Sequence, residues 1–264
     1  MRIEDVVRVA KKSGVALRDA FGNKRLSRVI GQGRSGDITR LADKVAEDIA
    51  IAEIRKLGNC EVISEEAGAL VFGEPKVRWF LDPLDGSANF ARSIPIFAVS
   101  ILIESVPKKE PMLAVVYDPI GDKCFTAEAG KGAFMNGKPI RTRKRERLKD
   151  CLFDLDLHLG QAKEKIARFV SAIERIGSHI RTFRSIGSCA IALCLSASGQ
   201  LDGFLDLTGS SRIVDIAAGI LILEEAGGVA TDLAGSKIRE GYDSVIACSS
   251  KKINQEIRLL LQRG

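Results

Sequence analysis

The segment Arg78 to Phe90, RWFLDPLDGSANF, runs an apolar stretch directly into two aspartates three residues apart, Asp82 and Asp85. Pro83 has no N–H to give a ladder, and Gly86 leaves the backbone free to turn. The spacing therefore predicts a strand that ends at Pro83, with both carboxylates converging beyond it. Two neighbouring carboxylates repel. A hard divalent cation between them relieves the repulsion, and oxygen-only donors suit Mg²⁺ or Mn²⁺ rather than zinc. Gly86-Ser87 would then open a short helix whose free N–H groups face a phosphate beside the cation.

Further acids lie at comparable places. Ser64-Glu65-Glu66-Ala67-Gly68 follows the apolar pair Val62-Ile63, which puts a second acidic pair at a second strand end. Asp215 stands directly before the apolar helical run Ile216 to Ala226, closed by Gly227-Gly228, and Asp43 falls in a helical pattern with Leu41, Ala42 and Val45. Each has an ordinary alternative: an Asx turn at Asp82 and Asp85, a helix start at Glu65-Glu66 and Asp43, an N-cap at Asp215. Their company favours a site.

The elements that must position them are legible from periodicity. Helical spacing covers residues 3 to 21 and 38 to 57, separated by the glycine-rich GQGRSGD. That loop matches GxGxxG, but no strand is predicted before it, so a dinucleotide fingerprint is not supported and a mobile loop is expected. Short β-like runs follow at Val62-Ile63, Val77 to Leu81, Ile96 to Ile103, Leu113 to Tyr117 and Cys124 to Ala127, and Asn136-Gly137 marks a tight hairpin. This half, 1–149, reads as α+β with a largely antiparallel sheet. The other half, 150–264, alternates strands (152 to 157, 181 to 183, 204 to 207, 228 to 231, 245 to 248) with helices (161 to 176, 188 to 198, 215 to 226, 250 to 262), the pattern of an α/β layer. Between them RTRKRERLKD, residues 141 to 150, carries six basic side chains against two acidic ones. Without interleaved aromatic residues it reads as a solvated connection rather than a polyanion site.

Composition sets the outer limits. The 264 residues are 45% apolar and 28% charged, with 25 Gly and 7 Pro, the balance of a packed globule. The longest apolar runs, such as Ala190 to Leu195, fall far short of the roughly 20 residues of a membrane span, and the N-terminal MRIEDVVRVAKK has no apolar signal core; a cytoplasmic protein is expected. A net charge of +6 suits an anionic substrate but does not argue for nucleic acid. The six cysteines have no metal spacing, and reduced, inert thiols are expected, Cys151 with Cys189 being the pair to weigh for redox sensitivity. Trp79 and Tyr117 read as core.

Taken in order, SEEAG, WFLDPLDGSANF, VYDPIGDKCFTAEAGKGAFMNGKPI, RSIGSCAIALCLSASGQLDGFLDL and VDIAAGILILEEAGG span nearly the whole chain. The series resembles the inositol monophosphatase and fructose-1,6-bisphosphatase superfamily, and its short form is similar to the archaeal enzymes that accept both inositol 1-phosphate and fructose 1,6-bisphosphate. The resemblance implies an α-β-α-β-α layered sandwich, a homodimer, lithium inhibition and a phosphorylated sugar or inositol as substrate. It implies that Glu65, Asp82, Asp85, Asp215 and the Leu84 carbonyl hold two or three Mg²⁺, replaceable by Mn²⁺, with Asp82 bridging. It implies further that Ser87, where many relatives have Thr, works with Asp43 to orient and deprotonate a metal-bound water, supported by Glu66. Gly86 and Ser87 would contact the phosphate, and Gly187 and Ser188 the ring. Many relatives carry Trp before the last ligand; here it is Val214, so the specificity loop, residues 206 to 214, departs from the pattern.

Two metal ions about 3.5 to 4 Å apart would clamp the phosphoryl oxygens and activate water for in-line displacement. Arg184 and Arg212 could grip a second phosphate through their guanidinium forks, surface ion pairs being the alternative. Two rival functions differ in kind. A phosphatase for 3′-phosphoadenosine 5′-phosphate or NADP would want an adenine-stacking aromatic, and none is evident at residues 150 to 214. A non-catalytic RNA-binding relative would have no need of the acid set.

Overall fold

Successive side chains of a strand face opposite ways, so a strand that is apolar at every position has to be covered on both faces. The computed structural model, which describes residues 1–32, 38–157, 163–238 and 241–262, shows what does the covering. Helix α1 (Ile3–Ala20), the antiparallel pair β1 (Val29–Gln32) and β2 (Ile38–Arg40), and helix α2 (Leu41–Arg55) come first. Strands β3 (Cys60–Ser64), β4 (Gly68–Phe72), β5 (Val77–Asp85), β6 (Ala98–Ser105), β7 (Glu110–Asp118), β8 (Lys123–Glu128), β9 (Gly132–Met135) and β10 (Lys138–Pro139) form one sheet, with the short helix α3 (Ser87–Ala91) between β5 and β6. Its order is β10-β9-β8-β7-β6-β5-β3-β4, antiparallel throughout except where β3 runs parallel to β5.

The remainder alternates β11 (Leu152–Leu155), α4 (Lys163–Ile176), β12 (Thr182–Arg184), α5 (Cys189–Ala197), β13 (Gly203–Asp206), α6 (Ile213–Glu225), β14 (Val229–Thr231), β15 (Val245–Cys248) and α7 (Lys251–Gln262). Its five-stranded sheet, β12-β11-β13-β15-β14, has β11 parallel to both neighbours and β15 antiparallel to both of its own.

Three apolar clusters then define the layers. Trp79, Leu81, Val99, Ile101, Val115 and Tyr117 pack one face of the large sheet on α1 and α2. Phe80, Leu102, Ala114 and Val116, the alternate residues, pack its other face on α5 and α6, which also touch Phe204 and Ala247 of the small sheet. Phe153, Leu205, Ile246 and Cys248 face away from that layer onto α4 and α7. The result is the expected α-β-α-β-α sandwich. Because α5 and α6 lie between two sheets they are apolar almost all round, whereas the outer helices α1, α4 and α7 carry one apolar face each. Trp79 and Tyr117 are core residues, as expected.

Several local expectations need correction. Residues 38 to 40 are strand, not helix, because they pair with β1, so α2 starts at Leu41. A strand, β1, therefore does overlap GQGRSGD; it leads into an antiparallel partner rather than a helix, while residues 33–37 lie outside those described, as do residues 161 and 162 of the helix expected over 161 to 176. Strand β4, an edge strand, went unpredicted because its sequence GALVF is apolar or glycine at every position, although its residues alternate between half-buried and exposed. Asn136-Gly137 does form the predicted hairpin turn, with φ of +49° and +75°. Cys151 and Cys189 belong to clusters on opposite faces of the five-stranded sheet, so the sheet separates the two thiols.

The basic run is tied down by its own chain. Arg141 donates to the Glu225 carbonyl, Arg145 pairs with Asp202, and Arg147 with Asp150. Glu225 itself, in the EEAGG segment, takes the N–H groups of Gly130 and Gly132 at 2.7 Å each and so fastens the end of α6 to the β8–β9 turn. Replacing it with Ala removes two charge-assisted bonds and hands both N–H groups to water. Urea unfolding of Glu225→Ala is expected to show a loss of about 1–3 kcal/mol; an unchanged midpoint would contradict this role.

Candidate metal centre

The predicted break at Pro83 does not occur. β5 continues to Asp85, and its register against β6 shifts between Asp82, opposite Ser100, and Asp85, opposite Ala98. Pro83 and Leu84 occupy this irregularity, where a missing N–H costs no ladder bond. The Leu84 N–H instead donates to Asp82 Oδ1 at 3.0 Å. Gly86 has φ of +91°, and a Cβ there would stand 2.9 Å from the Ile96 carbonyl oxygen, so glycine is required for the turn into α3, whose first residue is Ser87.

Besides Asp82 and Asp85 of β5, four more acids approach this strand end from three other elements. Glu65 and Glu66 lie in the β3–β4 turn, which the Glu65 N–H ties to the Leu81 carbonyl at 3.2 Å. Asp215 is at the third position of α6, not before it as its place in the sequence suggested, and its Oδ2 accepts the Arg212 N–H at 2.8 Å. Oxygens of Glu65, Asp82 and Asp215 come within 4.8 Å of one another. Asp85 is turned toward the start of α5, where the Ser188 hydroxyl, Cys189 N–H (3.1 Å) and Ala190 N–H (3.0 Å) all donate to it. Asp43 repeats the Asp215 device at the third position of α2, accepting the Arg40 N–H at 2.6 Å.

Crowding and burial push these groups toward protonation. Desolvation followed by the charges of Glu65, Asp215 and Asp85 lifts Asp82 well above the usual carboxylate range. Burial also raises Glu65 and Asp215, against the pull of Arg212. Asp85 is raised to about 7 by desolvation, opposed by the Ser188 hydroxyl, and Asp43 to about 7 by desolvation with Glu65 and Glu66 adding to it. A set of hard oxygen donors held together against their own repulsion fits Mg²⁺, which favours carboxylates and keeps part of its water shell.

The other site residues fall out as follows. Ser188 is buried and committed to Asp85, while Gly187 on the same loop is exposed. Arg212 reaches the acid cluster directly: its guanidinium contacts Glu65, and Asp215 Oδ1 at 3.2 Å. Arg184 is exposed on the edge strand β12, with its guanidinium on the Phe183 carbonyl at 2.8 Å and the Thr182 hydroxyl at 3.2 Å.

Sequence reasoning missed Glu47, fully buried, which accepts the Ser64 hydroxyl at 2.5 Å and the Ala67 N–H at 2.8 Å and so braces the turn carrying Glu65 and Glu66. Its signal was its place four residues after Asp43, on the same helix face. It also missed Asp154 in β11, Asp156 just beyond its end, and the buried Asp206. Asp206 accepts the N–H groups of Thr208 and Ser211 at 2.9 Å each, while the Ser211 hydroxyl also reaches Asp156 at 3.2 Å.

The sequence profile of the inositol monophosphatase family matches residues 3–263. The chain belongs to the inositol monophosphatase family. It is 36% identical to the inositol-1-monophosphatase of Mesorhizobium japonicum over 92% of this chain and 89% of that one, and 35% identical to the fructose-1,6-bisphosphatase of Pyrococcus furiosus over 92% and 91%. Among solved structures, the extragenic suppressor protein suhB of Bartonella henselae superposes with a TM-score of 0.90 at 32% identity, covering 99% of this chain and 98% of that one. Inositol monophosphatases are phosphatases that use Mg²⁺, and the acid set of this member fits that ion.

Asp154, buried and accepting the Ile186 N–H at 3.0 Å, is raised by desolvation from 3.8 to about 7. A raised carboxyl contributes stability that is complete below its unfolded value and is lost as pH climbs through its folded one. Asp154→Asn removes this loss, so its stability relative to the parent should rise by about 2 kcal/mol between about pH 5 and about pH 8. Urea unfolding at both pH values checks this, and a pH-independent difference would contradict it.

Proposed function

We propose that the protein is a Mg²⁺-dependent phosphomonoesterase that hydrolyses inositol 1-phosphate and fructose 1,6-bisphosphate. The observation that carries this reading is the meeting of Glu65, Asp82 and Asp215 oxygens within 4.8 Å at the end of β5, where α3 begins. Glu65, Asp82, Asp85, Asp215 and the Leu84 carbonyl are the donors. When bound, Mg²⁺ offsets the negative charge of the phosphoryl group and makes water a nucleophile near neutral pH.

The chain's own groups do the rest. Asp43, with its carboxyl raised to about 7, is suited to take a proton from water near neutral pH, and Ser87 orients that water. Glu66 keeps the Asp43 carboxyl raised through its charge. Gly86 brings the backbone of the α3 turn close enough for it and Ser87 to face the phosphate, since no side chain intervenes. Arg212, already at the mouth of the acid cluster, holds the anionic substrate, and the exposed Gly187 lines the ring side; Ser188, expected to face the ring as well, is instead buried and turned onto Asp85. Arg184, at the head of the same loop, is the candidate grip for a second phosphate.

Asp85→Asn keeps the shape and removes a charged donor. The kcat/KM for Mg²⁺-dependent phosphate release from inositol 1-phosphate should fall by more than about a hundredfold, since even partners of metal ligands cost up to that much. Unchanged turnover would overturn the assignment. Comparable kcat/KM for fructose 1,6-bisphosphate is expected, with a lower value for 3′-phosphoadenosine 5′-phosphate; the reverse order would make the protein a nucleotide phosphatase.

A further inference from the structure

Asn89 lies in α3, four residues after Asp85, and its amide nitrogen is within hydrogen-bonding range of three carbonyl oxygens: Ile96 (2.9 Å), Ile186 (2.8 Å) and Gly187 (3.3 Å). Ile186 is 97 residues away in the chain, on the loop from β12 to α5. From the other side, Asp154 Oδ1 on β11 accepts the Ile186 N–H at 3.0 Å. Ile186 is thus held by both of its backbone polar groups, one from each sheet's half of the molecule. Two residues later the chain presents the Ser188 hydroxyl and the Cys189 and Ala190 N–H groups to both oxygens of Asp85.

Geometry makes this a relay. Asp85 is buried, so no solvent can replace a donor that moves away. The two N–H contacts stand at 3.0–3.1 Å, and a loop displaced by about 1 Å would carry them out of hydrogen-bonding range. Gly86 rests on the same loop, since a Cβ there would lie 3.2 Å from the Gly187 carbonyl oxygen. An Asp in place of Asn89 would have the same outline but would turn an acceptor toward three acceptors.

We propose that Asn89 and Asp154 are positioning residues for the metal site, which hold Ile186 so that the start of α5 fixes the direction of the Asp85 carboxylate. Neither is itself among the donors; both act through Asp85. The inference rests on the reading that Asp85 is a Mg²⁺ donor.

Calorimetric titration of the full chain with Mg²⁺ alone, beside Tm measurements in chelator, tests it. Asn89→Asp and Asp154→Ala should each weaken Mg²⁺ binding about tenfold, the scale of lost outer-shell partners. Their combination should weaken it by less than the product, because both grip one loop. Asp154→Asn, which can still accept from Ile186, should stay within about twofold of the parent. Asn254, buried on α7 with its amide on the Ile246 carbonyl at 2.7 Å, serves as the structural control: Asn254→Asp should lower Tm and leave Mg²⁺ affinity alone. Parental affinity in both Asn89→Asp and Asp154→Ala, or equal weakening in Asn254→Asp, would overturn the inference. If Asn89→Asp does not fold, the contrast between Asp154→Ala and Asp154→Asn decides. Failure of the parent protein itself to bind Mg²⁺ would instead overturn the metal assignment on which the inference stands.

Discussion

Like charges brought together away from water are the constraint around which this fold is arranged. Carboxylate oxygens within 4.8 Å of one another repel by at least about 3.5 kcal/mol per charged pair at an effective dielectric near 20. Three such acids share one strand end, with Asp85 and Asp43 close enough to feel them. What opposes this is the start of a helix, three times over. Asp43 and Asp215 occupy the first turns of α2 and α6, and Asp85 faces the first N–H groups of α5. A helix start offsets about 0.3–2 kcal/mol. Three of them fall short of the repulsion among four or five acids, and the carboxyls stay raised, by burial first and by one another's charge after it. A divalent cation, the kind of ion this family uses, would offset the remainder.

The layer structure follows from having to deliver those helix starts to one place. α5 and α6 can point into the site only by running between the two sheets, which forces them to be apolar on every side and removes the amphipathic stripe by which surface helices are recognised. Strand β5 reaches the site from the large sheet, buried on both faces and irregular at its end, where Pro83 and Leu84 let Asp82 and Asp85 leave the ladder at different angles.

Much of this was legible in the sequence. The strands and helices of the second half fall within a few residues of their predicted limits, and the DPLDGSANF, SEEAG and VDIAAG segments pointed to the acids that meet. The misses have physical causes. Asp215 and Asp43 looked like a residue before a helix and a surface acid because a side chain at the third helical position bonds back to the N–H preceding the helix, a geometry that spacing alone does not distinguish from an N-cap. Strand β4 is an edge whose residues alternate in burial while its sequence, GALVF, carries no polar residue to mark the alternation, and β1–β2 is an isolated pair of short strands. Glu47, Asp154 and Asn89 went unread because their work is done on backbone groups distant in the chain.

The loop from Asp206 to Arg212 is held largely by its own buried carboxylate. Asp206 is fully buried and uses its carboxylate on the N–H and hydroxyl groups of Thr208 and Ser211, so the loop is closed largely on itself. Tyr242 adds a bond from outside, donating its hydroxyl to the Ser211 carbonyl at 2.5 Å. Among the described residues the loop meets the acids of the metal centre at Arg212, through its backbone N–H on Asp215 and its guanidinium on Glu65 and Asp215. A loop stabilised from within can be lengthened or recomposed without disturbing Glu65, Asp82 or Asp215. On the proposed function, the choice between an inositol phosphate and a fructose bisphosphate falls to what this loop and the exposed turn at Gly187 present to the leaving group.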